Sequence, residues 1–165
     1  MEYLSHIKDL RLILIGQFDP PEIEQKLKDL PGYTFIYLLG WLSWTEAWKI
    51  AQDANAGLIL FHPAPNHKRS MPNKLFEYMA AGLPVIASNF PLWRQIVEGN
   101  SCGLCVDPLK PEEIAQAIEY LLAHPAEAYR MGQNGRRVIE EKYNWENEGK
   151  ELINLYQKLV GKCNS

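Results

Sequence analysis

No apolar run in this chain is long enough to cross a bilayer. The longest, residues 12–16 and 35–39, fall far short of the ~20 residues a spanning helix needs. The N-terminus lacks the basic, then apolar, then small layout of a secretory signal, so a cytoplasmic protein is the default expectation. Association with a membrane surface through a full-length protein is compatible with it. Excess positive charge is also missing: the formal net charge is −3, which gives no reason to expect a polyanion, and nucleic acid is set aside as a partner. Cysteine is scarce. Cys102 and Cys105 match C-x-x-C and the third, Cys163, lies in a polar tail. A zinc site needs a second ligand pair, and none is present, so no metal is expected. A thioredoxin-like pair opens a helix, whereas this one sits in a strand-like stretch, and two reduced cysteines are the simpler reading. Neither G-x-G-x-x-G nor G-x-x-x-x-G-K-[ST] occurs, which removes the usual fingerprints of dinucleotide binding and ATP hydrolysis. Repeats, linkers and low-complexity segments are absent as well.

What is present is an ordinary globular composition, 47% hydrophobic and 22% charged over 165 residues, enough for one domain with a full core. Apolar runs and helical patterns alternate. Residues 10–16, 34–40, 57–61, 85–88 and 103–106 read as strands, the first two ending in Gly and patterned for burial on both faces. Between them lie helical stretches at 22–30, 44–54, 72–82 and 91–98, the second opened by the capping box Ser43-Trp44-Thr45-Glu46. From residue 111 onward the chain is helical, at 111–124, 126–143 and 145–160, with a break expected at Gly132 to Gly135 in the middle one. Such alternation predicts a single doubly wound α/β domain over residues 1–165, a parallel sheet with helices on both faces. In that architecture a ligand binds beyond the carboxyl ends of the strands. The loops there start at Gly16, Gly40, His62 and Asn89.

The sharpest stretch is 72–84. Pro72 and the Gly82-x-Pro84 pair bound a short helix, with Leu75, Tyr78 and Met79 on one side and Asn73, Lys74 and Glu77 on the other. A helix N-terminus favours phosphate, Ser70 is placed to act as its N-cap, and His67, Lys68, Arg69 and Lys74 gather positive charge around it. Glu77 is placed to accept hydrogen bonds from ribose hydroxyls. Together these residues suggest a nucleotide diphosphate with its ribose over Glu77. The bland alternatives are a solvated Lys74 and Glu77 pair and a plain polar loop over 62–69. Trp44, Trp48 and Trp93, at helical spacing among apolar neighbours, read as core or groove packing.

These residues resemble the C-terminal, donor-binding domain of the GT-B glycosyltransferases of group 1, or family 4. The likeness rests on LILIG at 12–16, 35–40, PNKLFEYMAAGLPVIAS at 72–88, Cys102-Gly103-Leu104, Asp107-Pro108, 111–122, MGQNGR at 131–136 and Tyr143-Asn144-Trp145. It implies that Glu77 is the family's second motif glutamate, on the ribose, that Gly40, Trp41 and Leu42 lie against the nucleobase, and that amides around Ser70 to Asn73 face the diphosphate and sugar. It further implies a retaining transfer from a nucleotide diphosphate sugar to an acceptor hydroxyl, with neither metal nor cofactor. Two departures stand out. The family's first glutamate, eight positions before the second, is Arg69 here, so the sugar contact differs and no catalytic residue is assigned. The acceptor-binding domain and the first strand of the donor domain are also missing, so the sheet is expected to lack a strand and the chain to be inactive alone. A nucleotide-sugar epimerase of similar fold and a non-catalytic nucleotide-binding α/β domain are the alternatives.

Overall fold

The computed structural model describes residues 2–163, with the side chains of Glu2 and of 161–163, Cys163 among them, outside the described residues. A 3-10 turn at Glu2–Leu4 leads into strand β1 (Leu12–Leu14), helix α1 (Glu22–Lys28), a second 3-10 stretch at Pro31–Phe35 and strand β2 (Ile36–Leu38). Helix α2 (Trp44–Gln52), strand β3 (Gly57–Ile59), the short helix α3 (Pro65–Arg69) and helix α4 (Asn73–Ala81) follow. Strand β4 (Val85–Ser88), helix α5 (Pro91–Val97), strand β5 (Gly103–Val106) and helices α6 (Pro111–Ala123), α7 (Pro125–Glu141) and α8 (Trp145–Cys163) complete the chain. The fold is the α/β class the alternation predicts, and every strand pair is parallel. The hydrogen-bonded ladder, however, is not continuous: β1 pairs with β2, and β3, β4 and β5 form a separate sheet in that order.

The three-stranded sheet carries the core. Val85 and Ala87 of β4 point into a cluster with Leu75, Met79, Trp93 and Val97, while Ile86 between them points to the opposite face, against Ala117, Leu121 and Ala128. This period-two division places α4 and α5 over one face and α6 over the other, and it explains why all four residues of β4 are buried. The β1–β2 sheet is different. Ile13, Ile15, Tyr37 and Leu39 each keep about two fifths or more of their surface exposed, so the burial on both faces expected for these strands is not realised.

Local chemistry accounts for the helix ends. Ser43 and Glu46 form the reciprocal capping box at the start of α2. Helix α4 stops where Gly82 takes φ +78, a left-handed conformation that a side chain would oppose. The break expected at Gly132 to Gly135 does not occur, and α7 is continuous. Its glycines serve close packing instead: a Cβ at Gly132 would collide with the carbonyl oxygen of Gly82, and one at Gly135 would press on Met79 at 3.3 Å. Among the tryptophans, Trp93 is fully buried as expected, whereas Trp44 is 65% exposed and stacks on Trp48 at 5.1 Å. The apolar residues of α8, Leu152, Ile153, Leu155, Tyr156 and Leu159, are all exposed. No helix among the described residues is long and apolar enough to cross a membrane.

Candidate functional site

The site is assembled at the carboxyl ends of the strands. Beyond β1 the ladder continues for two residues, the Leu39 N–H donating to the Leu14 carbonyl at 3.0 Å and the Gly16 N–H to the Gly40 carbonyl at 2.7 Å. Two of the glycines singled out in the sequence are therefore joined directly. Beyond β3, the side chain of Ser88 acts as a clasp. Its Oγ accepts from the Phe61 N–H at 2.8 Å and donates to the Phe61 carbonyl at 2.9 Å, replacing the ladder bonds that the strand end would lose.

From that clasp the chain runs into α4 by a route the sequence did not reveal. Residues 62–71 are not a plain loop, because Pro65–Arg69 forms helix α3 with proline in its first turn. His67 faces the His62 carbonyl through Nδ1 at 2.9 Å, and its ring lies 5.0 Å from that of Phe61. Ser70 is the C-cap of α3 and not the N-cap of α4. Its hydroxyl donates back to the His67 carbonyl at 3.2 Å, and its own carbonyl accepts from Trp93 Nε1 at 2.7 Å. Buried Trp93 thus anchors the segment from beneath. The N-cap of α4 is Pro72, in extended conformation and with no side-chain cap bond. Among the described residues the backbone N–H groups of Asn73 and Lys74 have no acceptor, while that of Leu75 bonds the Pro72 carbonyl. An uncapped helix start with open amides is suited to an anion.

Helix α4 then divides its faces. Leu75 and Met79 are fully buried, whereas Asn73, Lys74 and Glu77 are exposed. Lys74 and Glu77, one turn apart, both border a cavity of about 950 Å³ that also reaches Gly16, Gln17, Trp44 and Trp48. Among the described residues neither makes an ion pair or a side-chain hydrogen bond, so the solvated pair of the bland reading is not formed. Tyr78, beside them on the cavity wall, has its hydroxyl pKa raised, first by burial and then by the nearby charge of Glu77. The arrangement offers an ammonium, a carboxylate and open amides at the edge of an apolar recess.

Of the residues singled out in the sequence, Gly16, Lys74 and Glu77 border this cavity. Gly40 is tied to it through Gly16, while Trp41, Leu42, Arg69, Ser70 and Asn73 do not line it. Trp41 is 73% exposed. Arg69 ends α3 as an exposed residue. Gln17, in the loop that starts at Gly16, and Trp44, read from the sequence as core or groove packing, also border the cavity; neither was among the residues assigned to the ligand.

Parallel strands, covering helices and an uncapped helix start at the carboxyl edge define an α/β domain with its candidate site at that edge. The comparisons name the class: residues 2–124 match the family described as glycosyl transferases group 1, and the chain belongs to that family. It is similar to the MMP alpha-(1->4)-mannosyltransferase of Mycolicibacterium hassiacum, with 26% identity over 94% of this chain and 37% of that protein. Among solved structures it is similar to sucrose-phosphate synthase from Thermosynechococcus elongatus, with a TM-score of 0.83 and 25% identity over 98% of this chain and 41% of that one. It also shares the fold of the C-terminal domain of a group 1 family glycosyl transferase, LpcC, from Francisella tularensis, with a TM-score of 0.70 and 23% identity over 87% of this chain and 75% of that one. The chain spans about two fifths of the length of the first two.

Proposed function

We propose that this chain is the donor-binding half of a retaining glycosyltransferase, holding a nucleotide diphosphate sugar with its ribose on Glu77 and its diphosphate toward Lys74 and the open amides of α4. The observation that carries the reading is the meeting of Lys74, Glu77 and Gly16 on one cavity, in a chain of the group 1 family. The likeness to a C-terminal domain supports the choice of half, and the mannosyltransferase relative supports a hexose as the group moved.

Glycosyl transfer requires stabilisation of a leaving diphosphate as negative charge builds on it. Fixed N–H dipoles and a nearby cation supply this without reorganising during the reaction. Lys74 and the amides of Asn73 and Lys74 take that role here, and Glu77 sets the nucleoside by accepting from its hydroxyls. The acceptor is bound elsewhere in a full-length enzyme, so the 165-residue chain binds donor but does not transfer sugar.

Calorimetric titration with UDP, GDP and their sugars tests the reading, run beside a transfer assay on the same preparation. Binding of a nucleotide diphosphate without transfer is expected. No binding at millimolar concentration supports a non-catalytic α/β domain instead, and detectable transfer by the chain overturns the division of labour.

A further inference from the structure

Between Asp53 and Glu77 the sequence holds no aspartate or glutamate, yet it carries Lys68, Arg69 and Lys74. In a chain of net charge −3 this is a local excess of positive charge, and the fold does not neutralise it. None of these three side chains makes an ion pair or a hydrogen bond among the described residues. Helix α5, which packs against α3, brings no carboxylate to it, since Pro91–Val97 contains none.

The turn that bears Lys68 and Arg69 is nonetheless held firmly. The ring of His67 packs on Phe61, Phe61 lies edge-on to Trp93 with ring centres 5.5 Å apart, and Trp93 Nε1 donates to the Ser70 carbonyl at 2.7 Å. Pro65 and Pro72 restrict the backbone on either side. Arg69 stands four residues before Asn73, so their Cα atoms are at most about 14 Å apart, and a long guanidinium side chain spans much of that gap.

The direction of a bound donor decides what these cations meet. In the proposed pose the ribose is on Glu77 and the diphosphate toward Lys74 and the open amides, so the nucleotide runs along α4 toward its N-terminus. The sugar comes next in such a molecule and lies beyond the helix start, beside residues 69–72. Lys74 and the amides answer the diphosphate, and Arg69, with Lys68 next to it, is left for the sugar. A guanidinium donates only and stays charged. A sugar hydroxyl accepts one of its bonds but leaves the charge unpaired where the donor excludes water, which is costly. A carboxylate takes two parallel bonds and cancels the charge.

We propose that the donor carries a hexuronate, a hexose with a carboxylate in place of its terminal hydroxymethyl group, and that Arg69 selects it by pairing with that carboxylate. Lys68 raises the local positive potential. A glutamate at position 69, as in the family's motif, would repel the same group, so the departure from the motif and the preference for an acidic sugar are one change. The inference rests on the donor-site reading and adds to it the class of sugar.

Calorimetry with matched donors tests it: UDP-glucuronate against UDP-glucose and GDP-mannuronate against GDP-mannose, with UDP and GDP alone as references, on the parent chain, Arg69→Gln and Arg69→Glu. Both variants replace an exposed side chain, and their urea midpoints report that they are folded. The readout is the ratio of affinities within a pair, from which any contact of residue 69 with the nucleotide cancels. In the parent chain the uronate is expected to bind about tenfold tighter in at least one pair, the equivalent of one charge-assisted hydrogen bond. That preference is expected to vanish in Arg69→Gln and to reverse in Arg69→Glu. A parent chain that binds nucleotide but shows no preference in either pair overturns the proposal and leaves the donor site standing. A preference that survives in Arg69→Gln overturns it as well, because another group then selects the sugar. Failure of UDP and GDP themselves to bind removes the donor-site reading, and the proposal with it.

Discussion

Glu77 is the residue on which the donor reading turns. It projects from the exposed side of a helix whose other side is locked by Leu75 and Met79 at 0% exposure, so its position is set by the core while its carboxylate stays open to a ligand. Glu77→Ala is expected to weaken nucleotide diphosphate binding by about 1.5–3 kcal/mol, the range for a hydrogen bond to a charged group, with thermal stability little changed. An unchanged dissociation constant removes Glu77 from the site. At the cysteines the effect is on stability. Burial pushes the Cys102 thiol up to about 11 and the Cys105 thiol up to about 12, the latter helped by the charge of Glu98. Both folded thiols hold their protons more tightly than unfolded ones, so their contribution is complete below about pH 9 and is lost as pH rises toward 11 and 12. Urea midpoints are expected to fall over that range, and to fall less steeply in Cys105→Ala. A slope identical to that of the parent chain contradicts the assignment.

The helices show which parts of the fold were legible in the sequence. Helix α4 was, because Pro72 and Gly82 punctuate it at the backbone level and its two faces differ in chemistry. Helix α3 was not: five residues are too few for a periodic pattern, and their polar composition reads as a loop. That hidden helix is why Ser70 turned out to cap the end of α3 and not the start of α4. In α7 the signal was seen but its meaning was reversed. Glycine at 132 looks like a breaker by propensity, yet its role is the approach of α7 to the end of α4, which depends on a tertiary contact that no local pattern records. Gly132→Ala is accordingly expected to destabilise the domain by about 1–3 kcal/mol through overpacking, although alanine is the better helix former. Gly149→Ala, in α8 with nothing within 4 Å of the added Cβ, is expected to be stabilising by about 0.5–1 kcal/mol. Urea denaturation of the two variants reads the contrast, and equal effects would refute the packing argument.

For the molecule as a whole, the alternation of strands and helices was enough to specify an α/β domain and to direct attention to the carboxyl edge of its strands as the candidate site. It was not enough to show where the sheet is interrupted. Residues 12–16 and 35–39 are as apolar as a strand buried on both sides, and composition cannot tell whether the neighbouring strand belongs to the same stretch of chain. The half-exposed β1–β2 sheet and the open edge of β3 supply that information, and they place the interruption beside the candidate site. Of that site, the Lys74 and Glu77 pair was legible because both lie on one helix face. That Gln17 and Trp44 border the same cavity was not, because the elements that carry them are brought together only by the tertiary fold. The most direct measurement of the account is a two-dimensional amide NMR titration of the chain with UDP and GDP. Saturable shifts centred on Gly16, Asn73, Lys74 and Glu77 are predicted for at least one of the two; shifts centred elsewhere, or none at millimolar nucleotide, would contradict the assignment of this cavity as the donor site.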